Sequence, residues 1–245
     1  MWEQALAGVR IVLVEPAGPL NVGAIARVMK NLGLQQLILV NPQCDPLSAE
    51  AKLMAVHAVD ILEAAIRVAT LSEALQGCQR AISTTARVRT LSGVLEYPRT
   101  ALPWLIAEPK KAAALIFGPE YRGLSNEELN HAQRFVRIPS SHSYPSLNLA
   151  QAVAICCYEL SVSAQEGQVI TEMTTGDVAS LDVLEGYYQQ LESLLLKIGY
   201  LYPHTAASRM EKFRQLFNRA QLETAEVAML RGILTQMEWA ISRRI

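Results

Sequence analysis

Four segments rich in glycine, proline and small polar residues each follow a short apolar run, and their composition is that of ligand-binding turns. They are residues 15–23 (EPAGPLNVG), 83–89 (STTARVR), 117–123 (FGPEYRG) and 138–149 (IPSSHSYPSLNL). Prolines and small residues hold an irregular backbone, whose amide and carbonyl groups can bind an uncharged heterocycle. If the apolar runs are parallel strands, these segments meet at one edge of a sheet, where α/β proteins commonly bind ligands.

Arg27 is a candidate functional side chain beside the first of these turns. Val22, Ile25 and Met29 define the apolar face of a predicted helix. Arg27 is rotated by about 200° from both Ile25 and Met29 at ~100° per residue, so it must point away from the core. An exposed arginine alone is usually an ordinary solvated residue, but a functional role gains weight here because the helix begins at the carboxyl end of a predicted strand.

Several common catalytic signatures are absent from the sequence. The first turn is neither Gly-x-Gly-x-x-Gly nor a P-loop, which argues against a dinucleotide-binding dehydrogenase or an NTPase. No nucleophile elbow or zinc-protease helix is present. The four histidines, His204 among them, are far apart and are interpreted as surface or packing residues. The four cysteines lack Cys-x-x-Cys spacing, so we expect buried thiols and no metal.

The elements that would position these turns alternate between strands and helices. Residues 9–14 (VRIVLV) and 37–40 predict buried strands. Between them, Asn21 is placed to cap a helix that ends at Gly33. Together these elements predict a β-α-β unit.

The alternation continues through the first two thirds of the chain. We predict further strands over 80–84, 112–117 and 135–138, and helices over 60–75, 125–131 and 148–163. This pattern predicts an α/β fold, a parallel sheet with helices on both faces. The last helix is apolar nearly all round (LAQAVAICCYEL), so we expect it to pack inside the domain or against a partner.

The remainder of the chain predicts a second, smaller unit. Residues 165–179 are polar and suit an exposed linker, whereas 181–198, 207–220 and 223–241 have helical spacing. We therefore predict a first domain of residues 1–164, a linker of 165–180 and a small all-α C-terminal extension of 181–245. Four basic residues of this extension form either a phosphate-binding stripe or a solvated helix face: Arg209, Lys212, Arg214 and Arg219.

Composition indicates a globular protein. The 245 residues are 51% hydrophobic and 18% charged, enough for one sizeable core and a smaller unit. Residues 1–8 lack the features of a secretory signal, and no stretch approaches the roughly 20 apolar residues of a membrane span. A cytoplasmic location, with no membrane partner, is therefore expected.

Three motifs, in this order, give the chain a resemblance to a known family. They are NVGAIAR at 21–27, LIFGPEYRGLSNEEL at 115–129 and YPSLNLAQAV at 144–153. At these residues the chain resembles the SPOUT methyltransferases and, within them, the TrmJ-type tRNA 2'-O-ribose methyltransferases. The similarity extends to Arg87, Arg89 and the segments FRQLFNR (213–219) and LRGIL (230–234), so it covers nearly the whole chain.

The resemblance implies a knotted fold, a cofactor and a dimer. In the family, the segment after the fourth or fifth strand passes through a loop, which would give the α/β domain a C-terminal trefoil knot. It also implies a homodimer through the knotted domain, with the site completed by the second subunit. The knot would bind S-adenosylmethionine through the residues that match the family motifs: Thr84, Thr85, Ala86, Gly118, Glu120, Ile138, Pro145, Ser146, Leu147 and Asn148.

The implied activity is methyl transfer to a ribose 2'-hydroxyl of tRNA, at cytidine or uridine 32 of the anticodon loop. Such a reaction depends on positioning and on help with proton loss. Arg27 is expected to bind the neighbouring phosphate and orient the hydroxyl, because a protonated guanidinium is a poor base. Arg87, Tyr144 and Ser146 complete the expected catalytic set by placing the nucleotide. The expected RNA-binding residues are Asn21, Arg27, Arg89, Arg209, Lys212, Arg214 and Arg219.

Two alternatives remain open at the level of the sequence, and a third is disfavoured. The enzyme could act on rRNA or another RNA, because cofactor motifs report little about the substrate. The chain could be a catalytically silent RNA-binding homologue. An unrelated α/β nucleotide-binding domain would require phosphate-binding glycines that this sequence lacks.

Overall fold

The described residues of the computed structural model fall into two units, Met1–Glu172 and Met173–Ile245. The structure describes residues 2–86, 95–108, 111–141, 143–167 and 177–243. Arg87 and Arg89, both predicted to act on RNA, lie outside the described residues.

The described part of the first unit contains seven strands connected mostly by helices. The strands are β1 (Val9–Val14), β2 (Gln36–Val40), β3 (Ile66–Val68), β4 (Cys78–Thr84), β5 (Leu95–Glu96), β6 (Ala112–Phe117) and β7 (Arg134–Val136). The helices are α1 (Glu3–Leu6), α2 (Pro19–Asn31), α3 (Ala49–Ala55), α4 (Val59–Glu63), α5 (Leu71–Ala74), α6 (Pro98–Ala101), α7 (Pro103–Ile106), α8 (Asn126–Leu129) and α9 (Leu149–Gln165).

The seven strands form one sheet in the order β3-β2-β1-β6-β4-β7-β5. Every pairing between these strands is parallel. The central strands are buried almost along their whole length, as expected for a parallel sheet with covered faces. This confirms the predicted α/β fold with a parallel sheet flanked by helices.

Close packing of α2 fixes the helix that carries the first motif. Its residues Val22, Ile25 and Met29 are fully buried in the core, which confirms the apolar face predicted for it. Burial of each such side chain contributes roughly 1.5–3 kcal/mol. A Cβ atom added to Gly23 would lie 2.1 Å from the carbonyl oxygen of Ala51 in α3, so this crossing requires a glycine.

Two predicted helices differ in the structure. Asn21 is not the N-cap of α2, which begins at Pro19 after Gly18. Proline is preorganised for the first helical position, and the Asn21 side chain is therefore available for the site described below. The helix predicted over 60–75 is instead α4, β3 and α5, because the short run Ile66–Val68 pairs with β2.

Helix α9 has two different faces. Asn148 caps it by accepting hydrogen bonds from the N–H groups of Ala150 (2.9 Å) and Gln151 (3.3 Å). Its buried face contacts α1, α2, α6 and α7. On another face Ile155 and Tyr158 are 37% and 55% exposed, so the helix is only partly covered within its own chain.

The second unit contains the helices α10 (Leu181–Lys197), α11 (Pro203–Ala220) and α12 (Thr224–Ser242), close to the predicted positions. Tyr187 and Phe217 pack edge to face, with ring centroids 5.2 Å apart. The Tyr188 hydroxyl donates to Asn218 Oδ1 at 2.8 Å, which fixes α10 against α11. None of the described helices combines the length and apolarity required to cross a bilayer.

Candidate active site

A cavity of about 230 Å³ lies where the carboxyl ends of β4, β6 and β7 meet. All strands of the sheet are parallel, so the segments that follow these strands lie at the same edge. The cavity wall includes nine of the ten residues predicted to bind the cofactor: Thr84, Thr85, Ala86, Gly118, Glu120, Ile138, Pro145, Ser146 and Leu147. The tenth, Asn148, is the N-cap of α9 and immediately follows them.

A tight loop after β6 forms one wall of the cavity. A Cβ atom on Gly118 would lie 2.3 Å from the nitrogen of Leu124 and 2.4 Å from the carbonyl carbon of Gly123. Gly123 itself has a φ of +70°, which favours glycine. The loop can therefore fold back on itself only because these two positions lack side chains.

A hydrogen-bond network connects the three sequence motifs. Asn21 Nδ2 donates to Glu120 Oε1 at 2.9 Å, and Asn148 Nδ2 donates to Asn21 Oδ1 at 3.0 Å. Glu120 also accepts hydrogen bonds from the backbone N–H groups of Ala17 and Gly18, each at 3.2 Å. The Glu120 carboxylate thus ties the loop after β6 to the turn before α2, and Asn21 extends the connection to α9.

These donors keep Glu120 ionised. Burial alone would raise the pKa of its carboxyl group, but the hydrogen bonds from Asn21, its own backbone N–H, Ala17 and Gly18 together lower the pKa below the ordinary value. A permanent negative charge therefore lies at the cavity wall at neutral pH.

Arg122 fixes the same loop from its other side. Its Nη1 and Nη2 atoms donate to the two carboxylate oxygens of Glu128, at 2.7 and 2.9 Å. Nη2 also donates to Glu15 Oε2 at 2.9 Å, and the Tyr121 hydroxyl donates to the same oxygen at 3.0 Å. Bidentate pairing of this kind gives both strength and a defined geometry.

Glu15 is held in an unusual backbone conformation at the end of β1. Its φ is 46°, and Asn41, at the end of the neighbouring strand, has a φ of 44°. Hydrogen bonds from Arg122 and Tyr121 lower the pKa of the Glu15 carboxyl group. Backbone strain of this kind persists only where surrounding contacts hold it. The hydrogen bonds from Arg122 and Tyr121 therefore hold Glu15 in this conformation.

Backbone groups of two further segments complete the wall. The Thr84 hydroxyl donates to the Ile116 carbonyl at 2.9 Å, and the Thr85 N–H donates to the Val136 carbonyl at 2.9 Å. In the loop after β7, the Ser140 hydroxyl donates to the Pro145 carbonyl at 2.9 Å. The irregular backbone predicted at these strand ends is therefore held by its own hydrogen bonds.

The predicted catalytic residues are not all at the cavity. Ser146 lines it, whereas Tyr144 does not and is 79% exposed. Arg27 is exposed on α2, as its helical position predicts, and is not part of the cavity wall. Its guanidinium makes no hydrogen bond or ion pair to any residue that the structure describes.

The basic stripe predicted on the second unit is divided in the structure. Arg209, Lys212 and Arg219 are exposed, and on α11 they fall within about 80° of one another at ~100° per residue. Arg214 is rotated by about 140° from Arg209. Its guanidinium instead pairs with Glu185 at 2.5 and 2.8 Å and lies 4.6 Å from the centre of the Tyr188 ring.

Sequence reasoning missed Arg122 and Glu15 as residues that shape the site. Glu15 lies in the turn of residues 15–23, and Arg122 lies in the motif of residues 115–129. Their pairing joins residues 107 positions apart, which no local pattern indicates. Among the described residues, no group of three or more histidine, cysteine or acidic side chains could hold a metal ion.

Comparisons with known proteins agree with this geometry. A family model described as the SpoU rRNA Methylase family matches residues 8–158, and a model described as the C-terminal domain of tRNA methyltransferase TrmJ matches residues 182–245. The tRNA (cytidine/uridine/adenosine-2'-O-)-methyltransferase TrmJ of Pseudomonas aeruginosa is 41% identical over 243 residues, covering 94% of this chain and 93% of that protein.

Solved structures give the same result. The crystal structure of TrmJ from Z. mobilis ZM4 matches with a TM-score of 0.84 and 30% identity, covering 95% of this chain and all of that one. An AdoMet-bound rRNA methyltransferase from Sinorhizobium meliloti matches with a TM-score of 0.52 and 25% identity, covering 68% of this chain and 60% of that one. The chain therefore belongs to the SpoU methylase family and, within it, to the TrmJ-type tRNA 2'-O-methyltransferases.

Proposed function

We propose that this chain transfers the methyl group of S-adenosylmethionine to the ribose 2'-hydroxyl of a tRNA pyrimidine, at position 32 of the anticodon loop. The observation that carries the proposal is the cavity at the sheet edge, where nine residues from three separate segments form one wall. The relatives named as tRNA 2'-O-methyltransferases support the reaction and the class of substrate.

The cavity fits the cofactor. Its wall combines small residues with the apolar side chains of Val136, Ile138 and Leu147, which suit a flat heterocycle. The ionised Glu120 complements a positive charge, and S-adenosylmethionine supplies an electrophilic methyl group on a positively charged sulfur. We assign cofactor binding to the nine wall residues together with Asn148.

The protein residues contribute mainly by positioning. The 2'-oxygen would form a bond to the methyl carbon as the carbon–sulfur bond of the cofactor breaks, and it would lose its proton to solvent or a nearby acceptor. The hydroxyl must therefore be held in line with that carbon–sulfur bond. Ser146, which lines the cavity, is proposed to orient the nucleotide. The exposed Tyr144 is proposed to contact the nucleotide outside the cavity, and Arg87 retains this predicted role.

Arg27 is proposed to reach the site from a second copy of the chain. It does not line the cavity of its own subunit, and its guanidinium is exposed, with no ion pair among the described residues. The family resemblance implies a homodimer through the first domain. The exposed Ile155 and Tyr158 of α9 provide apolar area for such an interface.

A trefoil knot is proposed for the segment after β7. The Arg137 N–H donates to the Glu96 carbonyl at 2.9 Å, and the Val136 carbonyl accepts from the Thr85 N–H. The chain leaving β7 therefore runs beside the chains that leave β4 and β5, which is compatible with a threaded loop.

The domain organisation is proposed as a methyltransferase domain of residues 1–164, a linker of 165–180 and a helical RNA-binding domain of 181–245. Matches of separate family models to 8–158 and 182–245 support these bounds. Arg209, Lys212 and Arg219 are proposed RNA contacts, with Asn21 and Arg89 at the first domain. Arg214 is not proposed as one, because Glu185 already pairs with it. A tRNA substrate favours the cytoplasm.

The test is transfer of labelled methyl groups from S-adenosylmethionine to unmodified tRNA and rRNA transcripts. We expect label on tRNA and none on rRNA. Label on rRNA alone would show that rRNA, and not tRNA, is the substrate. Binding of S-adenosylmethionine without transfer to either RNA would indicate a catalytically silent homologue.

A further inference from the structure

Exposed aromatic rings lie around the connection between α10 and α11. Tyr200 and Tyr202 are 51% and 55% exposed. The Tyr202 ring stacks on the His204 ring, with centroids 6.0 Å apart and an interplanar angle of 24°. These three residues span five positions of the chain, so their rings share one small region of the second unit.

Basic side chains continue this region along α11. The Arg209 guanidinium lies 5.4 Å from the centre of the Tyr200 ring, and its Nη1 atom donates to the Tyr200 carbonyl at 3.2 Å. Lys212 and Arg219 are exposed on the same face of the helix and form no ion pair with the described residues. Glu211 lies about 160° from Arg209 and about 80–100° from Lys212 and Arg219 around the helix, and its Oε1 accepts a hydrogen bond from Gln215 Nε2 at 3.4 Å.

The combination of exposed aromatic rings and positive charge favours one form of RNA. Aromatic rings stack on bases that are unpaired, whereas a paired helix presents mainly phosphates and ribose hydroxyls. Lys212 and Arg219, which follow His204 by 8 and 15 residues on α11, can bind backbone phosphates farther along the same strand. Paired RNA alone would use the charges and leave the rings without a function.

We propose that Tyr200, Tyr202, His204, Arg209, Lys212 and Arg219 form an aromatic–basic surface that binds unpaired nucleotides of the substrate RNA. The bases stack on the Tyr200 ring and the Tyr202–His204 pair, and phosphates farther along the same strand contact Lys212 and Arg219. This inference rests on the proposed RNA methyltransferase function, and it assigns the helical domain the recognition of a single-stranded loop.

The experiment compares the binding of full-length variants to two RNAs with equal numbers of phosphates. One RNA is a hairpin with an unpaired loop, and the other is a blunt duplex. The variants are Tyr200→Leu and Tyr202→Leu, with Tyr200→Phe and Tyr202→Phe to retain the rings. Trp239→Leu is the matched control. Trp239 is 54% exposed, and its ring centre lies 4.1 Å from the Arg243 guanidinium, but it belongs to α12 and not to the aromatic–basic surface.

We expect each leucine variant to bind the hairpin at least about fivefold more weakly, the lower end of the effect of losing one base–aromatic stack. Binding of the duplex should be unchanged, and the phenylalanine variants should bind both RNAs like the wild type. The leucine substitutions should not alter the salt dependence of hairpin binding. Lys212→Ala and Arg219→Ala should each reduce the magnitude of the slope of log K against log salt concentration by about 0.7–0.9.

Equal binding of the hairpin by wild type and leucine variants would overturn the proposal, as would equal losses for hairpin and duplex. A change of oligomeric mass in the leucine variants, with RNA binding intact, would also overturn it and assign the surface to a second copy. The wild-type methylation assay separates the two claims: if it succeeds while these variants bind normally, only the aromatic–basic surface is refuted.

Discussion

At the scale of single residues, the site depends on polar groups that other protein groups hold in place. Asn21, Glu120 and Asn148 come from three motifs and form one chain of hydrogen bonds. All three residues were predicted as candidates through the family resemblance, because each belongs to one of the three matching motifs. The sequence could not pair them, since hydrogen bonds between residues about 100 positions apart leave no local signal.

The first residue-scale prediction concerns pH. The pKa of the Glu15 carboxyl is lowered in the folded chain, so its contribution to stability is present above its unfolded pKa of about 4.3 and is lost as pH falls through the lower folded value. Thermal unfolding of the wild type and Glu15→Gln should therefore differ at pH 7 and converge towards pH 3. A difference that persists at pH 3 would show that the charge of Glu15 is not the cause.

The second residue-scale prediction separates Arg27 from the cofactor. Arg27→Ala should reduce methyl transfer by about 100-fold or more, because positioning of the reacting groups is lost. Affinity for S-adenosylmethionine, measured by calorimetry without RNA, should change less than about twofold, since Arg27 is not part of the cavity wall. Undiminished turnover would refute the assignment.

At the scale of elements, the sequence predicted the long and strongly patterned segments and missed the short ones. Strands β1 and β6 have the predicted bounds because five of the six residues in each strand are buried and apolar, which leaves a clear pattern. Strand β3 has three residues and pairs with β2, so its tertiary contact decides its conformation. The loop after β6 was a candidate from composition, but its fixation by Arg122 required the structure.

Arg122→Met tests that fixation. The substitution leaves the carboxylates of Glu15 and Glu128 without their shared guanidinium, which should destabilise the fold by about 1–2 kcal/mol and weaken cofactor binding by about tenfold or more. Arg99→Met is the matched control: Arg99 pairs with Glu159 in the same bidentate manner, but its side chain is 79% exposed, and no measurable loss is expected. Equal effects in the two variants would contradict a specific role for Arg122.

At the scale of the whole molecule, the first domain contains the candidate cofactor cavity, and the exposed Arg27 supports the proposal that the site is shared between two copies. The sequence predicted a dimer only through the family resemblance, because an exposed apolar face alone does not show which molecule covers it. The two-unit division is partly visible in the sequence, since residues 165–179 are polar and separate the α/β pattern from a purely helical one.

Complementation between two inactive variants tests the shared site. Arg27→Ala keeps the cavity, and Gly118→Ala should disrupt it, because the added Cβ would overlap the backbone of Gly123 and Leu124. Co-expressed chains should recover about one quarter of the wild-type activity, since half of the random dimers then contain one intact site. No recovery, with mixed dimers demonstrated by mass, would place Arg27 in the site of its own chain.

Methyl transfer to tRNA transcripts that carry a single 2'-deoxynucleotide tests the central claim most directly. The proposed reaction needs the 2'-hydroxyl of nucleotide 32, so a deoxynucleotide at position 32 should abolish transfer, and one at position 34 should leave it unchanged. Full transfer to the transcript modified at position 32 would contradict the claim, because the methyl group would then be accepted elsewhere.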